Sequence, residues 1–246
     1  MAPEHRLATA ASAVAGSVDV MLLAEDLLLL VTDDGSGQLS VPAAQVDAGL
    51  GGANLVELAL MDKVDLSGEG EDGKPGRVVV RDASPAGDDI LDAALAILAA
   101  NQGKKPSAVI RPLSKNLRQA LYERLAAAGV IRAERGRILG MFPTRTWPAQ
   151  DASHEARARE LLTQALVQQT APDTRSAALI ALLHALRCEH KIVDPEPYGL
   201  SKRQLAARAE EIAQGNWAPG AVRKAIAEMN AAVLAATTTA TIATSG

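Results

Sequence analysis

Two acidic residues interrupt the most apolar stretch of the chain. Glu25 and Asp26 stand inside the run from Val20 to Val31, which is otherwise built mainly from leucine. Partial burial would perturb the titration of these carboxyl groups, and perturbed carboxylates are what acid–base catalysis requires. No nucleophile or further acid accompanies them at a meaningful spacing, and a buried acid more commonly pairs with an arginine. The pair is a candidate for catalysis, and a structural ion pair is the favoured alternative.

A concentrated basic segment contrasts with the acidic composition of the whole chain. The 246 residues carry a formal net charge of -4, and residues 1–103 contain 5 Lys/Arg against 17 Asp/Glu. Residues 104–137 contain 9 Lys/Arg against 2 Asp/Glu. Clustered cations attract phosphate, either on an anionic membrane surface or on a nucleic acid. This segment is therefore the main candidate for a binding site.

Common catalytic and metal-binding motifs are absent from the sequence, including G-x-S-x-G, H-E-x-x-H, the phosphate-binding loop and a strand-linked G-x-G-x-x-G. The single cysteine, Cys188, excludes an internal disulfide and a multi-thiolate metal site. His184 and His190 are six residues apart on one predicted helix, so they point to different sides. We expect no metal ion, no cofactor and no enzymatic activity.

Composition and periodicity predict a mainly α-helical fold. Apolar residues make up 48% of the chain but aromatic residues only 2%, so the core must be built from Leu, Ile, Val and Ala, a composition that favours helices. Helices are predicted at 20–31, from Pro42 to about residue 62, after Asp88, from Pro112 to Ala128, after Asp151, after Asp173, after Ser201, and over 218–236. In the 112–128 helix, leucines gather on one side, and Lys115, Arg118 and Tyr122 gather on another.

Two pairs of short strands complete the predicted elements. Val64–Leu66 and Arg77–Arg81 flank an acidic glycine-rich loop. The segment "VIRAERGRILGMF" predicts a β-hairpin with the charged "AERGR" at its tip. Its basic residues are Arg132, Arg135 and Arg137, and its second strand carries Ile138, Leu139, Met141 and Phe142.

The chain is interpreted as one compact domain with flexible ends. Residues 1–19 read as a loose leader rich in Ala and Ser, residues 20–236 as the domain, and residues 237–246 as a disordered Thr/Ala tail. The longest apolar run falls short of the roughly 20 residues that a membrane-spanning helix needs. We therefore expect no segment that crosses a membrane.

Several separated blocks together resemble the Golgi phosphoprotein 3 family. They are, in order, "LLAEDLLLLVTDDGSG", "AGLGGANLVELAL", "GDDILDAAL", "NLRQALYERLAAAGVI" with its hairpin, and "ALIALLHA". The resemblance runs from about Met21 to Ala236. It implies a central helix bundle ringed by amphipathic helices with one protruding β-hairpin. The alanine-rich composition suggests a bacterial homologue.

The resemblance also implies a function and a site. Eukaryotic members are peripheral membrane proteins that bind phosphatidylinositol 4-phosphate and the cytosolic tails of Golgi glycosyltransferases, and their hairpin serves self-association and membrane contact. Two arginines of the family's lipid pocket fall here on Lys115 and Arg118. The pocket's tryptophan and third arginine fall on Pro42 and Gly51, so half of the pocket is missing.

The favoured hypothesis is a non-enzymatic adaptor, cytoplasmic and peripheral on the inner face of a membrane. Anionic phospholipid headgroups would bind Lys115, Arg118 and Arg111, with Pro42 and Gly51 at the remaining pocket positions. The hairpin would add Arg132, Arg135, Arg137, Leu139, Met141 and Phe142 as a membrane or homo-oligomer contact. Cytosolic tails of membrane proteins are further candidate partners.

The alternative is a winged-helix-like nucleic-acid-binding or protein-interaction module. A helix that ends at Gly129 and precedes an arginine-bearing hairpin has the outline of a recognition helix followed by a wing. The acidic N-terminal part and the lack of aromatic stacking residues speak against a nucleic acid as the partner.

Overall fold

The computed structural model of the chain describes residues 21–71, 74–138, 142–215 and 227. The helices are α1 (Leu23–Leu30), α2 (Ala43–Leu60), α3 (Asp89–Ala99), α4 (Pro106–Ser114), α5 (Leu117–Ala127), α6 (Ser153–Leu166), α7 (Thr174–Ala185), α8 (Glu189–Ile192) and α9 (Lys202–Gln214). The strands are β1 (Val64–Leu66), β2 (Val78–Val80), β3 (Glu134–Ile138) and β4 (Phe142–Thr146). The predicted leader, the predicted 218–236 helix apart from residue 227, and the predicted tail lie outside the described residues.

Three helices form the centre of the molecule. Every residue of α1 is buried, and so is most of α7. α1 packs on α2 and α7, and α2 also contacts α7. A helix that is apolar on every side must be enclosed by other elements. The mainly α-helical, single-domain prediction is confirmed.

Glycines allow α2 to pack closely against its neighbours. The helix runs unbroken through Gly49, Gly51 and Gly52 for 18 residues, although glycine lowers helix propensity. A Cβ atom on Gly49 would lie 2.9 Å from Cδ1 of Leu186. The glycines therefore mark close contacts between α2 and the elements around it.

Side-chain caps start α3, α7 and α9, and the caps at Asp173 and Ser201 were predicted from the sequence. The carboxylate of Asp88 accepts from two backbone N–H groups in the first turn of α3. Asp173 accepts from the backbone N–H of Ser176 at 2.8 Å at the start of α7. Ser201 and Gln204 form a reciprocal capping box at the start of α9. These caps satisfy N–H groups that have no partner within the helix.

The predicted helix from Pro112 to Ala128 is wrong, because the chain bends in its middle. α4 begins earlier, at Pro106, and contains Pro112 near its end. Asn116 has a left-handed φ of 60° and separates α4 from α5. Proline inside a helix removes one hydrogen bond and crowds the preceding turn, so Pro112 weakens α4 near its C-terminal end. The leucine face nonetheless persists across the bend, and Leu113, Leu117, Leu121 and Leu125 are all buried.

Both predicted strand pairs are present. β1 and β2 pair antiparallel, with Asp65 opposite Val79. β3 and β4 form the hairpin, with Glu134 opposite Thr146 and Ile138 opposite Phe142. The predicted position of the turn is wrong, since "ERGRI" forms the first strand and the second strand begins at Phe142. Sequence alternation could not set this register, because neither strand has a regular apolar face.

An aromatic stack fastens the hairpin to the helical core. Trp147 follows β4 directly, is buried, and stacks on Tyr122 of α5 with ring centroids 4.9 Å apart. The guanidinium of Arg145 lies over the Trp147 ring at 5.6 Å. Gly37 (φ 63°) lies so near that a Cβ atom there would lie 2.2 Å from the Trp147 backbone nitrogen. The base of the hairpin is thus held against α5.

Candidate functional site

The predicted phosphate-binding cations lie at the corner between α4 and α5. Arg111 is in the last turn of α4, Lys115 follows that helix, and both are exposed. Arg118 lies in the first turn of α5, beyond the bend at Asn116. Among the residues that the structure describes, no carboxylate pairs with Arg111 or Lys115. We refer to Arg111, Lys115 and Arg118 as the cationic corner.

An open depression of about 560 Å³ lies at the cationic corner. It is lined by Asp47, Arg111, Pro112, Ser114, Lys115 and Asn116. Asn116 precedes α5, and its side chain makes no capping hydrogen bond. The positive end of the α5 dipole therefore coincides with two exposed cations. This combination suits a phosphate or another oxyanion.

Arg118 is not free, because α2 supplies a carboxylate to it. Its Nε donates to Oδ1 of Asp47 at 2.8 Å, and each side chain is about one third exposed (33% and 35%). This pair was not predicted from the sequence. The sequence does contain a signal for it, because Asp47 is four residues before Gly51, one of the predicted pocket positions, and residues at that spacing share a helix face.

The two remaining predicted pocket positions, Gly51 and Pro42, differ in burial. Gly51 is buried where α2 crosses α4, and a Cβ atom on it would lie 2.9 Å from the carbonyl oxygen of Ile110 and 3.2 Å from the backbone nitrogen of Ser114. Its role here is to let α4 approach α2, which sets the position of Arg111 and Lys115. Pro42 is exposed and directly precedes α2.

The residues of the predicted hairpin site are only partly described. Arg132 is exposed and pairs with Glu134 through Nε at 2.7 Å. Arg135, Arg137 and Phe142 lie within the paired strands. Leu139 and Met141 lie outside the described residues. The hairpin contact therefore stays a prediction.

Glu25 belongs to an ion-pair network that joins three elements. Its Oε1 accepts from Nε of Arg124 at 2.7 Å, and its Oε2 accepts from the backbone N–H of Leu22. Arg124 also donates from Nη1 to Asp88 at 2.5 Å. Because Asp88 caps α3, this single arginine on α5 connects the starts of α1 and α3.

Asp26 belongs to a second network under the same helix. Nη2 of Arg175 donates to its Oδ2 at 2.7 Å, and Nη1 of the same arginine donates to Glu57 at 3.2 Å. His154 lies 3.2 Å from Oδ1. Burial raises the pKa of Asp26, and Arg175 and His154 oppose that rise. Burial also raises the pKa of Glu57.

These contacts favour the structural interpretation of the acidic pair. Glu25 and Asp26 are 5% and 4% exposed, and each is held by an arginine from another helix. A carboxylate held in this way is fixed in position by its arginine, and loss of that partner would leave an uncompensated buried charge. The structure thus supports the ion-paired alternative over catalysis.

The structure speaks against the nucleic-acid alternative, because the arginines of the predicted recognition helix are already paired. A recognition helix needs cations on its outer face. Both arginines of α5, Arg118 and Arg124, are engaged with carboxylates of other elements. The most exposed positions of that helix include Gln119 and Glu123, which pair with each other.

A third buried acid lies at the start of α6. Glu155 is 4% exposed, and Nη2 of Arg159 donates to it. Burial raises the pKa of Glu155 to about 7, and a hydrogen bond with Asp34 adds to this effect. Two neighbouring carboxyl groups cannot both ionise without repulsion, so Glu155 favours its protonated form.

Metal-binding chemistry finds no support in the described residues. Within them, no three side chains of His, Cys, Asp or Glu are placed to hold one ion. His184 and Glu189 approach each other to 3.6 Å beside an open depression between α7 and α9. Cys188 is buried, and burial raises the pKa of its thiol to about 12, which makes a thiolate ligand unfavourable.

The helices of the described part are also too short or too polar to span a bilayer.

The fold and the cationic corner define a class: a mainly α-helical domain with a small β-hairpin and an exposed cationic surface. A model of the Golgi phosphoprotein 3 family matches residues 23–229. Since this match covers most of the chain, the protein belongs to the Golgi phosphoprotein 3 family, as the sequence blocks indicated. The family is Golgi-associated and non-enzymatic.

The chain is also similar to a curated protein, vacuolar protein sorting-associated protein 74 of Eremothecium gossypii. The two are 23% identical over 240 residues, which cover 84% of this chain and 71% of the fungal protein.

Proposed function

We propose that the protein is a non-enzymatic peripheral membrane protein that binds anionic phospholipid headgroups at the cationic corner. The observation that carries this proposal is the open depression bordered by the unpaired side chains of Arg111 and Lys115 at the start of α5. Membership of the Golgi phosphoprotein 3 family supports it.

The charges present are sufficient for reversible attachment. Each Lys or Arg near an anionic leaflet contributes about 1 kcal/mol, and salt screens this attraction. Arg111 and Lys115 alone would then supply about 2 kcal/mol, and basic residues of the hairpin would add to it. Attachment of this kind is weak enough to depend on ionic strength.

The hairpin is the proposed second contact. Its base is fastened to α5 through the stack of Trp147 on Tyr122, one turn beyond Arg118. The hairpin would either touch the same membrane or mediate homo-oligomerisation. We further propose that the bound protein acts as an adaptor for cytosolic tails of membrane proteins, on the inner face of the membrane.

Liposome co-sedimentation tests the lipid proposal. Purified protein is mixed with neutral vesicles and with vesicles that contain phosphatidylinositol, its 4-phosphate, or phosphatidylglycerol at matched surface charge, at low and high salt. We expect sedimentation with the anionic vesicles that decreases as salt increases. Failure to sediment with any anionic vesicle at low salt would refute the proposal.

A charge-reversal variant locates the surface. Arg111→Glu/Lys115→Glu should lose at least about tenfold in vesicle affinity, because attraction becomes repulsion at the depression. The matched control is Lys202→Glu/Arg203→Glu, which makes the same change of charge on exposed residues of α9. Equal losses in the two variants would mean that total charge, and not the cationic corner, drives binding.

A further inference from the structure

The pair between Asp47 and Arg118 is the unusual feature of the cationic corner. Asp47 lines the depression, so a carboxylate stands inside a surface that is otherwise suited to anions. It engages Nε of Arg118 at 2.8 Å and bridges α2 to α5 across 71 residues of sequence. About a third of each side chain is exposed, and Asp47 itself lines the depression, so a ligand there meets the Asp47 side of the pair.

We infer that Asp47 determines both the affinity and the headgroup selectivity of the cationic corner by competing with the ligand phosphate for Arg118. This inference rests on the proposed lipid-binding function. It predicts that Asp47 reduces the preference of the cationic corner for a headgroup with an added phosphomonoester over a singly charged phosphodiester headgroup.

The competition follows from the geometry of the guanidinium group. Bidentate recognition of phosphate uses two parallel N–H groups of one arginine. Asp47 occupies the Nε donor, so a phosphate must displace the carboxylate before Arg118 can hold it with that edge. Arg111 and Lys115 remain available without any displacement.

Selectivity follows from the charge of the ligand. A phosphomonoester carries about -1.5 to -2 charges near neutral pH, whereas a phosphodiester carries a single charge. Repulsion from the fixed carboxylate scales with the ligand charge, so Asp47 disfavours the monoester more strongly. Attraction to Arg111 and Lys115 scales with the ligand charge in the same way, so the carboxylate reduces the advantage of the monoester and does not reverse it.

Vesicle binding of Asp47→Asn tests the inference. Dissociation constants are measured for wild-type protein and variant on vesicles of phosphatidylglycerol and on vesicles of phosphatidylinositol 4-phosphate at matched surface charge. We expect the variant to prefer the 4-phosphate over phosphatidylglycerol more strongly than wild-type protein does. The variant should bind the 4-phosphate about tenfold more tightly than wild type and phosphatidylglycerol about threefold more tightly.

The matched control is Asp62→Asn. Asp62 is exposed beyond the other end of α2, and its left-handed φ of 56° is one that asparagine also adopts. This variant changes the total charge equally but should leave the ratio of the two dissociation constants unchanged. A second variant, Asp47→Ser, removes the carboxylate with a smaller side chain and repeats the test if Asp47→Asn does not fold.

The outcomes separate this inference from the proposed function. Wild-type binding to anionic vesicles with an unchanged ratio in both Asp47 variants would overturn the inference and leave the lipid function standing, with Asp47 as a simple link between α2 and α5. No binding of wild-type protein to any anionic vesicle would overturn both.

Discussion

Beneath α1, Arg124 and Arg175 each join two carboxylates, whereas at the cationic corner the basic groups outnumber the carboxylates near them. The difference lies in burial. Below α1 the carboxylates of Glu25 and Asp26 are almost fully removed from water, so each needs a permanent partner. At the cationic corner, Arg111 and Lys115 are exposed to solvent. They therefore need no permanent partner and can bind an external anion.

The comparison explains why residue type alone is a poor guide to function in this chain. Arg118 and Arg124 lie on the same helix six residues apart. Arg124 reaches the buried Glu25, whereas Arg118 reaches the partly exposed Asp47. One arginine is thus part of the core, and the other is part of a surface that a ligand can enter.

Removal of Arg175 should have the largest effect. Arg175→Met removes the guanidinium that pairs with the buried Asp26 and the largely buried Glu57, and leaves only His154 beside Asp26, so we expect a loss of about 3 kcal/mol in the free energy of unfolding. Urea denaturation at pH 7 measures it. The matched control is Arg111→Met at the cationic corner, which should change stability by less than about 0.5 kcal/mol. Similar losses in both variants would contradict the distinction between the two regions.

Gly51→Ala should have an intermediate effect, because the cationic corner depends on the packing beneath it. Alanine normally favours a helix over glycine, by about 1 kcal/mol. Here the added Cβ would lie 2.9 Å from the Ile110 carbonyl oxygen, so α4 must shift. We expect a net loss of about 1 to 2 kcal/mol and weaker vesicle binding.

Thermal unfolding and vesicle sedimentation of the same preparation measure both effects of Gly51→Ala. Gly35→Ala is the control, since a Cβ there would lie at an ordinary contact distance of 3.7 Å from Asp33. A stabilised Gly51→Ala variant with normal vesicle binding would show that the crossing of α2 and α4 has room for a side chain.

Glu155→Gln should have the smallest effect, and one that depends on pH. The folded protein holds the pKa of Glu155 at about 7, above its ordinary value of 4.5. A raised pKa means that the stabilisation is complete below pH 4.5 and is lost as the pH rises through 7. Glutamine does not ionise, so the variant should be more stable than wild type at pH 9, by about 1 kcal/mol.

Urea denaturation of wild type and Glu155→Gln at pH 5, 7 and 9 provides the comparison. The groups that face Glu155 are Asp34 and Arg159, and both are retained in the variant. A stability difference that stays constant across this range would show that Glu155 is ionised throughout.

Much of the local structure could be predicted from the sequence. The caps at Asp173 and Ser201 and the pattern of buried leucines located helices close to their observed bounds. The charge count located the basic segment. These features are local, because capping and helix periodicity depend on residues within a few positions of one another.

The bend between α4 and α5 could not be read in the same way. The apolar period continues through it, so the leucine pattern predicts one helix. The presence of Pro112 was interpreted as a helix start, although in the structure it lies within α4. Proline is compatible with both positions, and the packing of α4 against α2 decided between them.

By itself, the sequence determined the helical class, the family, the central buried helix and the presence of a cationic segment. Only the tertiary structure decided which basic residues are paired with a carboxylate and which are available to a ligand. Arg175 meets Asp26 across 149 residues, and Arg118 meets Asp47 across 71. Such partners are chosen by the arrangement of helices around a shared core, and no local period or spacing encodes that arrangement.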